Sequence, residues 1–178
     1  MHYAFTKILI LSLFISSCLA KVDPPNYNFS LDALKVFNPG SELKDIQAKY
    51  GKGELIEDGG DLKTYKFYVA QIRYKFPVYV QLFKGKSLDF FARLPNYFSH
   101  DLFHQSIINR LGKQDKFFKI EANALYRWSN KNGNNYAYSG TCTITCFPLY
   151  FSTAIAKPPA EASGYNPMIN KLSGIQAK

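Results

Sequence analysis

The sequence predicts an α+β fold in which two tandem repeats, each a helix followed by an antiparallel β-meander, form one compact domain. The motif Tyr50-Gly51-Lys52 is followed by Tyr65-Lys66-Phe67, and Leu111-Gly112-Lys113 is followed by Tyr126-Arg127-Trp128. The two glycine motifs and the two aromatic motifs are equally far apart along the chain, which indicates a duplicated supersecondary unit. The 13 Tyr, 15 Phe and 1 Trp residues favour a pleated, half-buried surface, so we expect strands to dominate.

The first repeat spans residues 34–95 and is predicted to begin with a helix over residues 41–50. Ser41 is a suitable N-cap because its hydroxyl can accept a backbone N–H bond. Leu43 and Ile46 begin an apolar stripe at helical spacing, which predicts the side of the helix that packs on the sheet.

Alternation of side chains predicts the strands of the first meander. Residues 62–73 place Tyr65 and Phe67 on one face, since successive strand residues point to opposite sides. Residues 58–61, Asp-Gly-Gly-Asp, are predicted to form a tight turn because these residue types tolerate positive φ.

The second repeat spans residues 96–156. Its helix carries Phe103, Ile107 and Leu111 on one side at helical spacing. An Asn-Gly pair within residues 131–134 predicts a hairpin turn. Strands are expected at about 116–121, 123–129, 135–145 and 148–156.

Residues 1–20 resemble an export signal. Lys7 supplies a positive charge, and residues 8–19 form an apolar run that is too short to span a bilayer. Two processing routes remain open: Cys18 is acylated as the first residue of a lipoprotein, or the signal is cleaved after Ala20. Both routes predict export, either to the periplasm or the outer membrane with a lipid anchor, or into the medium.

Two further segments carry few large apolar side chains. Residues 21–33 are expected to be a flexible lead-in, and residues 157–178 a mobile C-terminal tail. Loose packing of the C-terminal tail against the domain is the alternative to a mobile tail.

The formal net charge is +9. In an exported protein this charge suggests anionic lipid, lipopolysaccharide or an acidic partner rather than nucleic acid. The alternative is a solvated basic face that only aids solubility.

Cys142 and Cys146 are the cysteines that remain after Cys18, and an exported chain would hold them in an oxidising compartment. In one straight strand their Cα atoms would lie about 13 Å apart. A disulfide needs about 7 Å or less, which a turn near Thr145 would allow. A disulfide and a pair of free thiols therefore both stay open.

The sequence contains no recognisable catalytic constellation. His100 and His104 can share one helix face, but zinc needs three or four protein ligands and no third donor stands at a suitable spacing. Asp89, a candidate acid, is expected to face solvent. We therefore predict no metal, no cofactor and no enzymatic activity; a periplasmic hydrolase whose site assembles only in three dimensions is the least favoured alternative.

Several motifs resemble the small outer-membrane lipoproteins of the SmpA/OmlA type, which are also called BamE-like. They are Leu111-Gly112-Lys113-Gln114-Asp115, followed by Tyr126-Arg127-Trp128. In that family a helix ends in Leu-Gly-Lys-Pro-Asp and an aromatic strand with Trp follows. Asn38-Pro39-Gly40-Ser41 with Tyr50-Gly51-Lys52 is similar to the Pro-Gly turn and helix end of the same unit.

Two such units in tandem resemble the architecture of β-lactamase-inhibitory protein, a secreted inhibitor. The resemblance covers roughly residues 34–94 and 99–156. It implies export, a helix packed on antiparallel sheet, and protein–protein contact without catalysis, but no particular partner. The family's proline is replaced by Gly53 in one repeat and Gln114 in the other, so the turn chemistry differs.

We therefore expect a non-enzymatic envelope protein that binds another protein, in envelope assembly or in hydrolase inhibition. A sheet face or the loops after Gly51 and Gly112 would make the contact. The rival hypothesis is binding of anionic lipid or glycan by a Lys-rich face. The candidate interface residues are the strand aromatics Tyr65, Phe67, Tyr126 and Trp128, for which burial in the core beneath the helices is the competing interpretation.

Overall fold

The computed structural model describes residues 31–71, 74–95, 100–120, 123–140 and 149–172 of the chain. Strands account for 50% and helices for 24% of the structure. Cys18, Cys142 and Cys146, together with residues 1–20, lie outside the described residues, so the processing and disulfide predictions stay open.

The strands form one 8-stranded antiparallel sheet with the order β1-β2-β3-β4-β8-β7-β6-β5. The predicted fold class, an α+β domain of two helix-plus-meander repeats, is therefore wrong, and the fold is a single β-rich sheet. The bounds are β1 Glu54–Gly59, β2 Leu62–Gln71, β3 Tyr74–Phe83, β4 Lys86–Leu94, β5 Lys116–Ile120, β6 Asn123–Lys131, β7 Asn134–Ser139 and β8 Leu149–Ile155.

Pairing between β4 and β8 is the physical reason for the single sheet. The register runs from Asp89↔Ala154 to Leu94↔Leu149, which are close in space although far apart in sequence. A β4 left unpaired would expose a row of backbone N–H and C=O groups. Backbone hydrogen bonding between strands therefore continues without a break from the first half of the chain, at β4, into the second half, at β8.

The helices are one 3₁₀ helix (Leu31–Phe37) and three α-helices: α1 (Leu43–Tyr50), α2 (His100–Leu111) and α3 (Met168–Leu172). The prediction that Ser41 is the N-cap of α1 is wrong. Glu42 occupies the N-cap position, and its side chain makes no capping hydrogen bond. The Ser41 carbonyl instead accepts the Ser87 amide at 2.8 Å, which binds the start of α1 to the β3–β4 hairpin.

We call the side of the sheet that packs on the 3₁₀ helix, α1 and α2 the covered face. The predicted helix stripes are confirmed there, since Ile46 and Ile107 are each 0% exposed. Phe37 stacks on Tyr50 with ring centroids 5.0 Å apart. The Tyr50 hydroxyl donates to the Ala33 carbonyl at 2.8 Å. Residues 31–33 thus belong to a packed helix, unlike the flexible lead-in predicted for residues 21–33.

The opposite side of the sheet carries a second, smaller cluster of buried side chains. Met168 and Ile169 of α3 pack there with Phe91, Leu125 and Ala137. Residues 157–178 were predicted to be a mobile tail, but the segment that reaches α3 buries these two apolar side chains against the sheet. The tail prediction overlooked that pair because the residues around it are mostly polar.

The Asn-Gly hairpin signal is confirmed between β6 and β7. Asn132 has φ 51° and Gly133 has φ 78°. Two successive positive φ angles define the turn whose twist matches that of the flanking strands.

Among the described residues, no helix combines the length and the apolar character that crossing a membrane requires.

A glycine just before β1 is expected to be intolerant of substitution. Gly53 has φ +73°, and a Cβ on it would lie 2.5 Å from Cε1 of Phe67, which is buried. Gly53→Ala should lower the free energy of unfolding by roughly 2–3 kcal/mol, from backbone strain and overpacking together. Chemical denaturation measures the change.

Gly133→Ala is the matched control for this substitution. Gly133 has a similar φ, +78°, but a Cβ there meets nothing within 4 Å. Only backbone strain is added, so we expect a cost of about 1 kcal/mol. Equal costs for both variants would show that the Phe67 ring moves away freely.

Candidate functional site

The four predicted interface residues lie on the covered face. Phe67 is 1% exposed and Trp128 is 0% exposed. Tyr65 and Tyr126 are half-buried and pack against the same core. These side chains hold the sheet to the helices, so they are not available as a contact surface in the folded chain.

The opposite side of the sheet, which we call the second face, is formed by the alternate residues of the same strands. A shift of one residue along a strand moves a side chain to the other side of the sheet. Lys66 and Tyr68, which flank Phe67, therefore point away from the helices, as does Arg127 beside Trp128. The second face comprises Lys66, Tyr68, Lys75, Tyr79, Phe91, Arg93, Lys116, Phe118, Leu125, Arg127, Ala137 and Tyr150.

Aromatic rings and cations alternate across the second face. Lys66 Nζ lies 5.1 Å from the ring centroid of Tyr68, whose side chain is exposed. At the other end of the sheet, the Arg127 guanidinium lies 5.7 Å from the Phe118 ring. Such contacts hold long cationic side chains flat on the surface and lower the entropy that they lose when a partner binds.

Two rings in tilted contact occupy the centre of the same face. The Phe91 and Tyr150 centroids are 5.1 Å apart on the paired strands β4 and β8. Phe91 is buried, whereas Tyr150 is half-exposed and lies opposite the exposed Arg93. A rigid aromatic beside a cation is a common anchor in protein interfaces.

The second face has an excess of positive charge. Lys66 pairs with Glu54 at 3.3 Å, and Lys171 of α3 pairs with Glu57 at 3.7 Å. Within the described part of the chain, four further cations of this face form no ion pair: Lys75, Arg93, Lys116 and Arg127. The electrostatic complement of this surface is therefore an acidic one.

One end of the second face is covered by the C-terminal segment, and Asp89 lies beneath it. Asp89 is 0% exposed, so the expectation that it faces solvent is wrong. Its Oδ2 accepts the backbone N–H of Met168, the first residue of α3. The Gln81 backbone amide and the Tyr165 hydroxyl also lie beside this carboxyl.

Burial raises the pKa of Asp89 to about 7, against the opposing effects of the Met168 amide and the Lys171 ammonium group. Burial also raises the pKa of the neighbouring Tyr165 hydroxyl. A carboxyl in this environment resembles a tuned acid. However, it lies under a helix and bonds to that helix, so we assign it to the docking of α3.

The two histidines occupy one face of α2, as their spacing predicts. Their ring centroids are 5.5 Å apart. His100 Nδ1 lies 3.0 Å from the Tyr138 hydroxyl, and the His104 ring lies 4.0 Å from that of Tyr126. Both imidazoles thus pack into an aromatic cluster. Across the ranges that the structure describes, no three His, Cys, Asp or Glu residues are grouped so that they could hold a metal ion.

The loops after Gly51 and Gly112, the alternative contact sites, lead into the two edge strands. Leu55 and Ile56 of β1 are 45% and 47% exposed, and Phe117 of β5 is 53% exposed. Apolar side chains on an unpaired edge can also receive a partner. The second-face residues were not among the predicted interface residues, although Lys66 and Tyr68 alternate with Tyr65 and Phe67 along β2 and so give a signal in the sequence.

The geometry defines a class of protein: a single antiparallel sheet with three helices on one face and, on the other, a short C-terminal helix beside an aromatic, basic surface. Comparison with family models, curated proteins and solved structures finds no match to this chain.

Proposed function

We propose that this chain is a non-enzymatic, exported envelope protein that binds another protein through the second face of its sheet. The observation that supports this function most directly is the combination of the exposed Tyr68, the half-exposed Tyr150 and the cations without an ion pair among the described residues, such as Arg93. Such a surface suits a folded protein partner that presents carboxylates. The resemblance to BamE-like lipoproteins and to a secreted inhibitor favours the same kind of activity, in envelope assembly or in hydrolase inhibition.

The shape of the surface favours a protein over a small ligand. Its anchors are spread from Tyr68 on β2 to Phe118 on β5, on strands at both ends of the sheet. Most stable protein interfaces have about 800 Å² per partner and a few aromatic or arginine anchors at their centre. Arg93 and Tyr150, on the central pair of strands, are in the position of such anchors.

Charge reversal at the centre of the second face tests this function. We expect Arg93→Glu to reduce capture of the partner by on the order of tenfold, because like charges would face each other in the complex. The measurement is quantitative crosslinking and pull-down from envelope extracts, at low and at high salt. High salt should weaken capture by the unmodified chain, since exposed charges are screened.

Lys44→Glu is the matched control, because Lys44 is exposed on α1 at the other side of the sheet. It makes the same charge change and should leave capture unchanged. Lys113→Glu, in the loop after Gly112, tests the loop alternative. If Lys113→Glu abolishes capture and Arg93→Glu does not, the second face is not the interface.

The lipid hypothesis gives a different result. Vesicles of phosphatidylglycerol and phosphatidylcholine would then bind the chain without its acyl group, and Arg93→Glu would weaken that binding. Vesicle binding together with no specific protein captured would overturn the proposal in favour of the membrane surface.

A further inference from the structure

A cavity of about 270 Å³ lies on the covered face, between the 3₁₀ helix and α2. Leu31 and Leu34 line one wall, and Ile107 and Leu111 line the other. Phe90 of β4 and Phe151 of β8 form the floor, at the junction where the two halves of the sheet join. The cavity therefore lies away from the second face.

In the part of the chain that the structure describes, the floor contains two polar side chains, the half-buried Tyr136 and the fully buried Thr153. Thr153 lies between Phe90 and Tyr136 in the cross-strand register, so its side chain belongs to the covered face. Thr153 is 0% exposed, and its Oγ1 has no hydrogen-bond partner among the described residues. A buried hydroxyl without a partner is costly, and valine would fill the same space without that cost.

The mouth of the cavity is basic. Arg110 and Lys35 line it from opposite walls. Arg110 Nη1 and Lys35 Nζ approach the same carboxylate oxygen, Asp32 Oδ1, at 2.7 Å and 2.9 Å. Two cations share this single carboxylate, and the other N–H groups of a guanidinium can still donate to a second anion.

We infer that this cavity binds a small aromatic carboxylic acid that carries a hydroxyl group on its ring. An apolar cavity of about 150 Å³ is enough for benzene, so the larger cavity here admits a benzene-sized ring with a short substituent. The ring would lie between Leu34 and Ile107, with its hydroxyl at Thr153 Oγ1 and its carboxylate at Arg110. Because Leu34, Ile107 and Thr153 are at most 1% exposed, the 3₁₀ helix and α2 would have to move apart slightly to admit it. This site is independent of the proposed protein-binding surface.

The test uses 3-(4-hydroxyphenyl)propionate with the full chain, measured by calorimetry or by ligand-observed NMR. The first comparison is 3-phenylpropionate, which lacks the hydroxyl and should bind about 2–10-fold more weakly. The second is the neutral amide of the same acid, which should also bind more weakly. Thr153→Val should remove the preference for the hydroxyl, and Arg110→Gln the preference for the carboxylate.

Arg93→Gln is the control, because Arg93 lies on the second face and its loss should not change binding of the acid. The melting temperature of Thr153→Val provides an independent readout. It should stay the same or rise, since the substitution removes a buried hydroxyl that has no partner. A fall of several degrees would show that the hydroxyl is already satisfied and would overturn the inference. Absence of binding, or equal affinity for all three compounds, would also overturn it.

Discussion

Trp128→Ala is expected to lower the free energy of unfolding by about 3–5 kcal/mol. Trp128 is among the largest fully buried side chains, with 0% exposure. Its Nε1 donates to the Gly112 carbonyl at 2.8 Å and so links β6 to the end of α2. Alanine would leave a large cavity and would remove the donor for that carbonyl. Urea denaturation followed by circular dichroism measures the loss.

Trp128→Phe separates the two contributions. It keeps most of the apolar volume but cannot donate to the Gly112 carbonyl, so its cost should be about 1–3 kcal/mol. An alanine variant that loses less than about 1 kcal/mol would contradict the central position of this ring in the core. Equal losses for the two variants would assign the whole effect to the hydrogen bond.

The second large effect is a change with pH at Asp89. Burial raises the pKa of Asp89 from its ordinary value of 3.8 to about 7 in the folded chain. Between these two values the folded state holds a proton that the unfolded state has released. The stability contributed by the neutral carboxyl is therefore complete below about pH 4 and is lost as the pH rises through about 7.

Asp89→Asn removes this titration and keeps an oxygen that can accept the Met168 amide. The free energy of unfolding of this variant, relative to the unmodified chain, should rise by on the order of 2–4 kcal/mol between pH 4 and pH 8. Denaturation curves at four pH values in that range measure the difference. Parallel pH profiles for the two proteins would show that Asp89 is not desolvated in solution.

Asp115→Asn is a control with the opposite sign. The Ser129 amide and Lys131 hold the pKa of the exposed Asp115 carboxyl below its ordinary value. Its stabilising contribution is therefore present above that ordinary value and is lost as the pH falls through the lowered pKa. The two asparagine variants should thus differ from the unmodified chain in opposite pH directions.

Local signals explain which elements could be predicted. Ile46 belongs to an apolar stripe at helical spacing in α1, and Ile107 belongs to another in α2. Asn132 and Gly133 both tolerate the positive φ angles that their hairpin turn requires. These features depend on residues a few positions apart, so the chain alone is enough to predict them. Ser41 shows the limit, because it suits an N-cap locally but its carbonyl bonds to the distant Ser87 amide instead.

The candidate site was harder to predict, because alternation defines two faces without showing which one the helices cover. Burial beneath the helices was the competing interpretation for Phe67, with Lys66 on the opposite side of the strand, and the packing of the helices shows that this interpretation is correct. The interface residues chosen from the sequence were therefore the ones that became core. The position of Thr153 could not be foreseen either, since the walls of its cavity come from segments far apart in the chain.

The sequence by itself determined the individual strands, the stripes of α1 and α2 and the basic charge, because each depends on short-range periodicity or on composition. Only the tertiary structure decided that β4 pairs with β8 into one sheet, that α3 buries Asp89, and that the cations of the second face remain exposed. These outcomes depend on contacts between residues distant in sequence, whose favourable energy exists only when the whole chain has folded.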